Sequence, residues 1–177
     1  MVLGDSRMSK LCWLFLFLPL AAPAADQAGA SRFATDFAKH WLVAKDLAIA
    51  VAQAMPAESY EFKPVPEEMS FGGQMFHIAA GNYGYCATAA KAKSPFTKPE
   101  TTDKEAAIKA LGASFDYCAE IASSLTDDQL NESRARGKSS FTVRELLLGV
   151  QTHMAHHRGQ AEVYLRVKGI KPPDYNF

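Results

Sequence analysis

The sequence has no excess of charge of either sign. Its 177 residues include 19 Lys and Arg residues and 19 Asp and Glu residues, so the formal net charge is zero. Binding to nucleic acid or to an anionic membrane surface depends on clustered basic residues, because phosphate groups attract cations. The composition therefore predicts no nucleic acid partner and no anionic membrane partner.

Long apolar runs are scarce, and the one that stands out lies near the amino terminus. Arg7 and Lys10 precede the run "LCWLFLFLPL", which the small residues "AAPAA" follow. This order is typical of a secretory signal peptide, and the run is shorter than a membrane span of about 20 residues. We predict cleavage after Ala24, with Met8 as an alternative start and an uncleaved anchor as the alternative reading of the segment.

Removal of residues 1–24 would leave residues 25–177 as an exported chain, either periplasmic or secreted, without stable membrane insertion. This remaining chain has no internal repeat, no low-complexity run and no glycine-rich phosphate loop. With 48% hydrophobic residues in the sequence, it is long enough to bury the core of one domain.

Strand patterns are also missing, since no segment alternates convincingly between apolar and polar residues. Apolar residues recur instead with the 3.6-residue period of a helix in four segments, at about 31–55, 70–91, 102–124 and 142–169. Four amphipathic helices joined by connections predict an all-α fold, a four-helix bundle.

Capping signals predict where the third and fourth segments begin. Thr102 is followed three residues later by Glu105, and Thr142 is followed in the same way by Glu145. Both pairs match the capping box that opens many helices. Residues 169–177 are expected to close the chain as an extended tail.

Three histidines lie in "QTHMAHHRGQ", residues 151–160 of the fourth segment. At about 100° per residue, His153 and His157 lie roughly 40° apart and one turn along the axis, whereas His156 is turned outward. The apolar pattern places His157 within the buried face and His153 at its edge. Buried imidazoles are unfavourable unless something satisfies them, and a divalent metal does so. A polar stripe without metal is the alternative.

His77 is the predicted third ligand, in the second segment, within "MSFGGQMFHIAAGNYGYC". Gly81 and Gly84 follow one and two turns later, and each glycine inside a helix costs about 1 kcal/mol relative to alanine. The glycines indicate that space is kept clear, either for close helix packing or for a ligand that approaches the metal. His40 is interpreted as an ordinary, partly exposed histidine.

These residues resemble the DinB-like (YfiT-like) metalloenzyme family. The resemblance covers the chain after the signal segment and rests on "MPAESYEFKPVPEEMS", "GGQMFHIAAGNY", "HMAHHRGQ" and "KGIKPPDYNF", of which "HHRGQ" is the most specific part. In that family, one histidine on helix two and two histidines on helix four bind a divalent metal and leave coordination positions open. The matching positions are His77, His153 and His157. The resemblance implies zinc or nickel, with iron or manganese as alternatives, and is compatible with a homodimer.

The resemblance also implies up-down-down-up topology, in which the second and third helices run parallel. The connector 92–101 agrees, since its extended reach of about 33 Å just spans a helix of about 22 residues. Cys86 and Cys118 each lie sixteen residues beyond the predicted caps, Ser70 and Thr102, so parallel helices place them level. We therefore hypothesise a disulfide between them, which export to an oxidising compartment permits. Two buried free thiols are the alternative.

Three neutral imidazoles that leave coordination positions open form a catalytic type of metal site rather than a closed structural one. Such a metal lowers the pKa of bound water or polarises a substrate oxygen. Residues expected to orient the ligands or line the pocket are Gln74, Asn82, Arg158 and Gln160. The sequence offers no convincing general base.

The predicted function is metal-dependent chemistry of the hydrolase type or the thiol-transferase type on a small-molecule substrate. Relatives of this fold include isomerases and transferases that use low-molecular-weight thiols. Export argues against a cytosolic thiol cosubstrate, so the hydrolase type is favoured. The alternatives are a non-catalytic protein that binds or sequesters a divalent metal, and a structural bundle whose histidines bind none.

Overall fold

The structure is a computed structural model that describes residues 29–97 and 99–175. Its elements, in chain order, are α1 (Arg32–Ala54), a single 3-10 turn (Ala57–Ser59), α2 (Phe71–Ala89), α3 (Lys104–Ser123), α4 (Asp127–Asn131), β1 (Ser133–Arg136), β2 (Ser139–Thr142) and α5 (Val143–Val167). The predicted all-α bundle is confirmed by α1, α2, α3 and α5, of which α5 is the predicted fourth segment.

None of the described helices has the length and apolar character needed to cross a membrane. The predicted signal peptide, its cleavage site and the alternative start lie outside the described residues.

Capping explains where the helices begin. The capping box at the start of α5 is confirmed, since the hydroxyl of Thr142 accepts from the backbone N–H of Glu145 and the carboxylate of Glu145 accepts from the N–H of Thr142. The box predicted from Thr102 is wrong. Asp103 caps α3 instead, because its carboxylate accepts the N–H of Ala106 at 2.8 Å. Asp is at least as strong a cap as Thr, so the helix starts one residue later.

Helices α2 and α3 lie side by side and run in the same direction. Nδ2 of Asn82 donates to Oγ of Ser114 at 3.0 Å. Four residues further along each helix, Cys86 and Cys118 are joined as a disulfide with their Cα atoms 5.4 Å apart. Because residue numbers increase together along the two helices, the helices are parallel. The connection between them therefore returns along the length of the bundle.

Helix α1 runs antiparallel to α3. The backbone N–H of Ser31 donates to the carbonyl of Leu125 at 2.8 Å, and the indole Nε1 of Trp41 donates to the carbonyl of Phe115 at 3.0 Å. Helix α5 is likewise antiparallel to α2, since Gln74 contacts His157 and His77, further along α2, contacts the earlier His153. The order of the four long helices is therefore up-down-down-up.

The hydrophobic core lies between the four long helices. Large side chains from each of them are completely shielded from solvent, among them Trp41, Phe71, Phe115, Leu147 and Leu165. Burial of one such side chain stabilises the fold by about 1.5–3 kcal/mol. This core fixes the relative positions of α2 and α5, the two helices that carry the candidate ligands.

The hairpin β1–β2 contradicts the expectation that the chain has no strand. Each strand has four residues, and the sequence "SRARGKSSFT" is too short and too polar to show an alternating pattern. Gly137 has a φ of +63°, which suits the first central position of a type II′ hairpin turn. Nε of Arg134 donates to the carbonyl of Ala89 at 3.0 Å, so the hairpin is attached to the last turn of α2.

Candidate metal centre

The three predicted ligands meet between α2 and α5. One ring nitrogen each of His77, His153 and His157 lies within 4.8 Å of the other two. Nε2 of His153 lies 3.1 Å from Nε2 of His77. His40 and His156 are not members of this group. The helical phase argument therefore selects the two histidines of α5, His153 and His157, that the fold brings together with His77.

The geometry of this group suits one divalent ion. A tetrahedral metal with nitrogen ligands at about 2.0–2.1 Å holds those nitrogens about 3.3 Å apart. The 3.1 Å separation between His77 and His153 is close to that value. Three imidazole nitrogens are also the donors that zinc and nickel accept readily.

Two histidines of α5, His153 and His157, are held in the neutral form that binds metal. Burial is the main reason that the pKa of His153 falls to about 4, and the neighbouring His157 and His77 lower it further. Burial, followed by the neighbouring His77, also lowers the pKa of His157. The helical pattern places His153 only at the edge of the buried face, yet burial lowers the pKa of His153 more than that of His157. Both rings are neutral at pH 7.

Gly81 explains why His153 is desolvated so strongly. A Cβ added at Gly81 would lie 2.5 Å from Nδ1 of His153, closer than any side chain tolerates. The glycine therefore lets the imidazole ring lie against the backbone of α2, which supports the close-packing interpretation. A Cβ added at Gly84 would meet nothing within 4 Å, so Gly84 has no such role.

A buried hydrogen-bond chain orients His157. Oε1 of the fully buried Gln74 lies 2.9 Å from Nδ1 of His157. Because an amide oxygen only accepts hydrogen bonds, Nδ1 carries the proton and the lone pair on Nε2 is free for a metal. Nε2 of Gln74 lies 3.4 Å from the hydroxyl of Tyr164, which donates to the carbonyl of Met69 at 3.0 Å. Gln74 thus has the orienting position expected of it.

The sequence analysis did not identify Tyr164, although its position contains a signal. It lies seven residues, or about two turns, beyond His157 and therefore on the same face of α5. Its side chain is 3% exposed, and a buried tyrosine needs a partner for its hydroxyl. The pattern of α5 alone does not show that this partner is a group on α2.

Two other predicted pocket residues, Asn82 and Arg158, have different surroundings. Asn82 lies about 140° around α2 from His77 and faces Ser114 of α3. Nε of Arg158 lies 3.3 Å from a carboxylate oxygen of Glu162, an ion pair within α5. Arg158 also lines a cavity of about 50 Å³ on the side of α5 that faces α1. Neither residue is therefore placed among the three histidines.

Gln160 lies beside the histidine group. Its side chain is close enough to His157 to counteract, in part, the lowering of the pKa of that ring. Its Oε1 is buried and has no well-formed hydrogen bond to another described residue. Gln160 is thus a neighbour of His157, but Gln74 makes the defined contact with the ring.

A cavity of about 460 Å³ opens beside His77. Its lining is largely apolar and includes Met69, Phe76, Ala80, Phe96 and Pro99. The charged residues in the lining are Glu61 and Lys63, from the connection between α1 and α2. Sequence reasoning did not identify these two residues, because helical periodicity says nothing about how a connection folds over a helix. Glu61 adds a carboxylate where the sequence offered no general base.

The cysteines lie on the opposite side of α2, against α3. Cys86 and Cys118 are both fully buried, and their Cα separation of 5.4 Å is near the usual value of about 5.5–6 Å for a disulfide. Their level positions follow from the parallel arrangement of the two helices. The bond in the isolated protein stays a prediction.

Comparison with known proteins agrees with this fold. A DinB-like protein from Bacillus subtilis is 24% identical, with a TM-score of 0.67, covering 79% of this chain and 96% of that one. A DinB-like protein from Bacillus cereus ATCC 10987 is 19% identical, with a TM-score of 0.71, covering 80% of this chain and 97% of that one. No protein with curated annotation matches the sequence. The model of the DinB family matches residues 30–177, and the chain therefore belongs to the DinB family.

Proposed function

We propose that this protein is an exported, metal-dependent enzyme that acts on a small molecule, with hydrolysis as the favoured reaction type. The observation that carries the proposal is the group of three histidines, one of which, His77, lines a cavity of about 460 Å³. His77, His153 and His157 would hold the ion. A divalent ion on three neutral imidazoles supplies a Lewis acid and lowers the pKa of water bound at an open position.

Zinc or nickel is the proposed metal. The histidine group contains imidazole nitrogens and no carboxylate. Imidazole suits metals of intermediate softness, whereas magnesium, calcium and manganese prefer oxygen ligands. Iron is a further metal that accepts imidazole, and manganese fits the donor set less well. The neutral state of His153 and His157 at pH 7 favours binding, because the ligands need not lose a proton first.

The side chains around the histidines have separate roles in this proposal. Gln74 orients His157, and Gly81 lets His153 pack against α2. The apolar wall of the cavity binds the body of the substrate and excludes water from it. Glu61 is the carboxylate in the cavity lining, so it is the candidate group for accepting a proton.

The alternative is a non-catalytic protein that binds or sequesters a divalent metal. A closed site of that kind would complete the coordination with a fourth protein ligand. His40 and His156 are the two other histidines among the described residues, and neither belongs to the group. The three-histidine set beside a cavity therefore favours the enzyme. Thiol-transferase chemistry is less favoured, since an exported enzyme would not meet a cytosolic thiol. The homodimer with which the resemblance is compatible remains a prediction.

The test is an activity screen of protein purified without a histidine tag and loaded with zinc or with nickel. The substrates are panels of small esters, amides and thiol-transfer acceptors. His157→Ala removes a ligand, and His156→Ala is the matched control, since the adjacent histidine lies outside the group. We expect turnover by the wild type and by His156→Ala, and none by His157→Ala. Equal rates for all three proteins reject the proposal.

A further inference from the structure

The hairpin brings a cation close to the histidine group. Arg136 is the last residue of β1, and its guanidinium carbon lies 3.6 Å from the centre of the Tyr85 ring. The same ring has its centre 6.0 Å from the centre of the His153 ring. The distance from the guanidinium carbon of Arg136 to the centre of the His153 ring therefore cannot exceed the sum of these two separations. The positive charge of Arg136 also contributes to the lowered pKa of His153, which agrees with this proximity.

Both parts of this arrangement are held in place. Arg134 and Arg136 are two residues apart on β1, so their side chains share one face of the hairpin. Arg134 anchors that face to the carbonyl of Ala89 on α2. Tyr85 is held between α2 and α5, because a Cβ added at Gly149 would lie 2.8 Å from Cε1 of its ring. Arg136 is thus stacked on a ring that has little freedom to move.

No described residue accepts a hydrogen bond from the exposed side chain of Arg136. Arg134 pairs with Glu132, and Arg144 pairs with Asp127. Within residues 29–97 and 99–175, no carboxylate pairs with Arg136. Its guanidinium group stacks instead on the ring of Tyr85. A guanidinium group with one face on a ring keeps its edge free, and that edge matches the two oxygens of a carboxylate.

We propose that Arg136, stacked on Tyr85, binds the carboxylate of an anionic small-molecule substrate at the edge of the metal centre. The inference rests on the proposed function and adds the charge class of the substrate. Three neutral imidazoles around a divalent ion leave the site with a net positive charge. An anionic substrate complements that charge, and Arg136 supplies a second, directional attachment point. The apolar cavity beside His77 accepts the rest of the molecule.

The test uses benzoate as the probe and benzyl alcohol as its neutral counterpart. Zinc content is measured first for the wild type and every variant, and each ligand is then titrated into the zinc-loaded protein by calorimetry. Arg136→Gln removes the proposed contact. Lys138→Gln is the matched control, because it removes one positive charge from the adjacent turn, where Lys138 is exposed.

We expect Arg136→Gln to weaken benzoate binding about tenfold or more, as loss of a charged hydrogen bond does, and to leave benzyl alcohol binding unchanged. Lys138→Gln should change neither. No benzoate binding to the zinc-loaded wild type, or equal weakening by the two variants, overturns the inference while the proposed function stands. A wild type that holds no zinc overturns both, and the zinc measurement therefore separates the two failures.

Discussion

Nδ1 of His157 lies 2.9 Å from Oε1 of Gln74, and this contact determines which nitrogen of His157 faces its two neighbouring histidines. The amide is itself held by Tyr164, whose hydroxyl is bound to the carbonyl of Met69. A group on α2 therefore sets the proton position of a ligand on α5. The metal affinity of the site should depend on residues that never touch the ion.

Gln74→Leu should weaken zinc binding about 10- to 100-fold, the usual effect of losing a partner that orients a metal ligand. Leucine keeps most of the buried volume but cannot accept the proton of His157. The measurement is competition with a chromophoric chelator. Asn82→Leu is the control, since Asn82 is also a buried amide of α2 but faces Ser114. Similar weakening by both variants would refute the orienting role.

Gly81→Ala and Gly84→Ala should have opposite effects on stability. Alanine is favoured over glycine inside a helix by about 1 kcal/mol, so Gly84→Ala should stabilise the protein, since its added Cβ meets nothing within 4 Å. At Gly81 the same Cβ would strike the ring of His153 and displace it. We therefore expect Gly81→Ala to lower both the free energy of unfolding and zinc affinity. Urea denaturation and chelator competition measure the two quantities, and unchanged zinc affinity in Gly81→Ala would contradict the packing explanation.

Mass spectrometry of the nonreduced protein tests the disulfide between Cys86 and Cys118. We expect neither cysteine to be alkylatable, and alkylation of both would reject the bridge. The bridge closes a loop between residues 32 apart, which corresponds to about 3–4 kcal/mol of stabilisation in the chain-entropy treatment. Cys86→Ala with Cys118→Ala should lower the free energy of unfolding by a similar amount, and a reductant should then have no further effect on the variant.

The cap of α3 should show a pH-dependent contribution to stability. Hydrogen bonds from the hydroxyl of Thr101 and the backbone N–H of Ala106 lower the pKa of Asp103 below its usual value. Stability from a carboxylate with a lowered folded-state pKa is present above the unfolded pKa of about 3.9 and is lost as the pH falls through the folded value. Asp103→Ala should therefore be less stable than the wild type at pH 7, with a smaller difference below about pH 4. Thr102→Ala should change little, and a larger effect of Thr102→Ala would restore the cap first predicted there.

Features set by local geometry could be predicted from the sequence. Four helices followed from their apolar period, and the convergence of His153 with His157 followed from the rotation of about 100° per residue. Thr142 and Glu145 form their capping box because the interaction needs only three residues of helix. His77 could be predicted as the third member of the group because it lies among apolar and small residues on a second helix.

Features that depend on packing between elements could not be predicted in this way. Thr102 and Asp103 are adjacent and both suit the N-cap position of α3, so the sequence could not show that Asp103 forms the cap. The hairpin that carries Arg136 has strands too short for a pattern, and its position depends on an anchor at the end of α2. Glu61 and Tyr164 acquire their roles only when a connection and a distant helix come together. Such contacts leave no periodic trace in the sequence.

Elemental analysis of the protein, purified without a histidine tag and with mild buffers, tests the central claim most directly. The claim is that His77 on α2 and both His153 and His157 on α5 hold one divalent ion. We predict one equivalent of metal per chain in the wild type and in His156→Ala, and none in His77→Ala. A wild type without stoichiometric metal, or a His77→Ala variant that keeps its metal, would contradict the account.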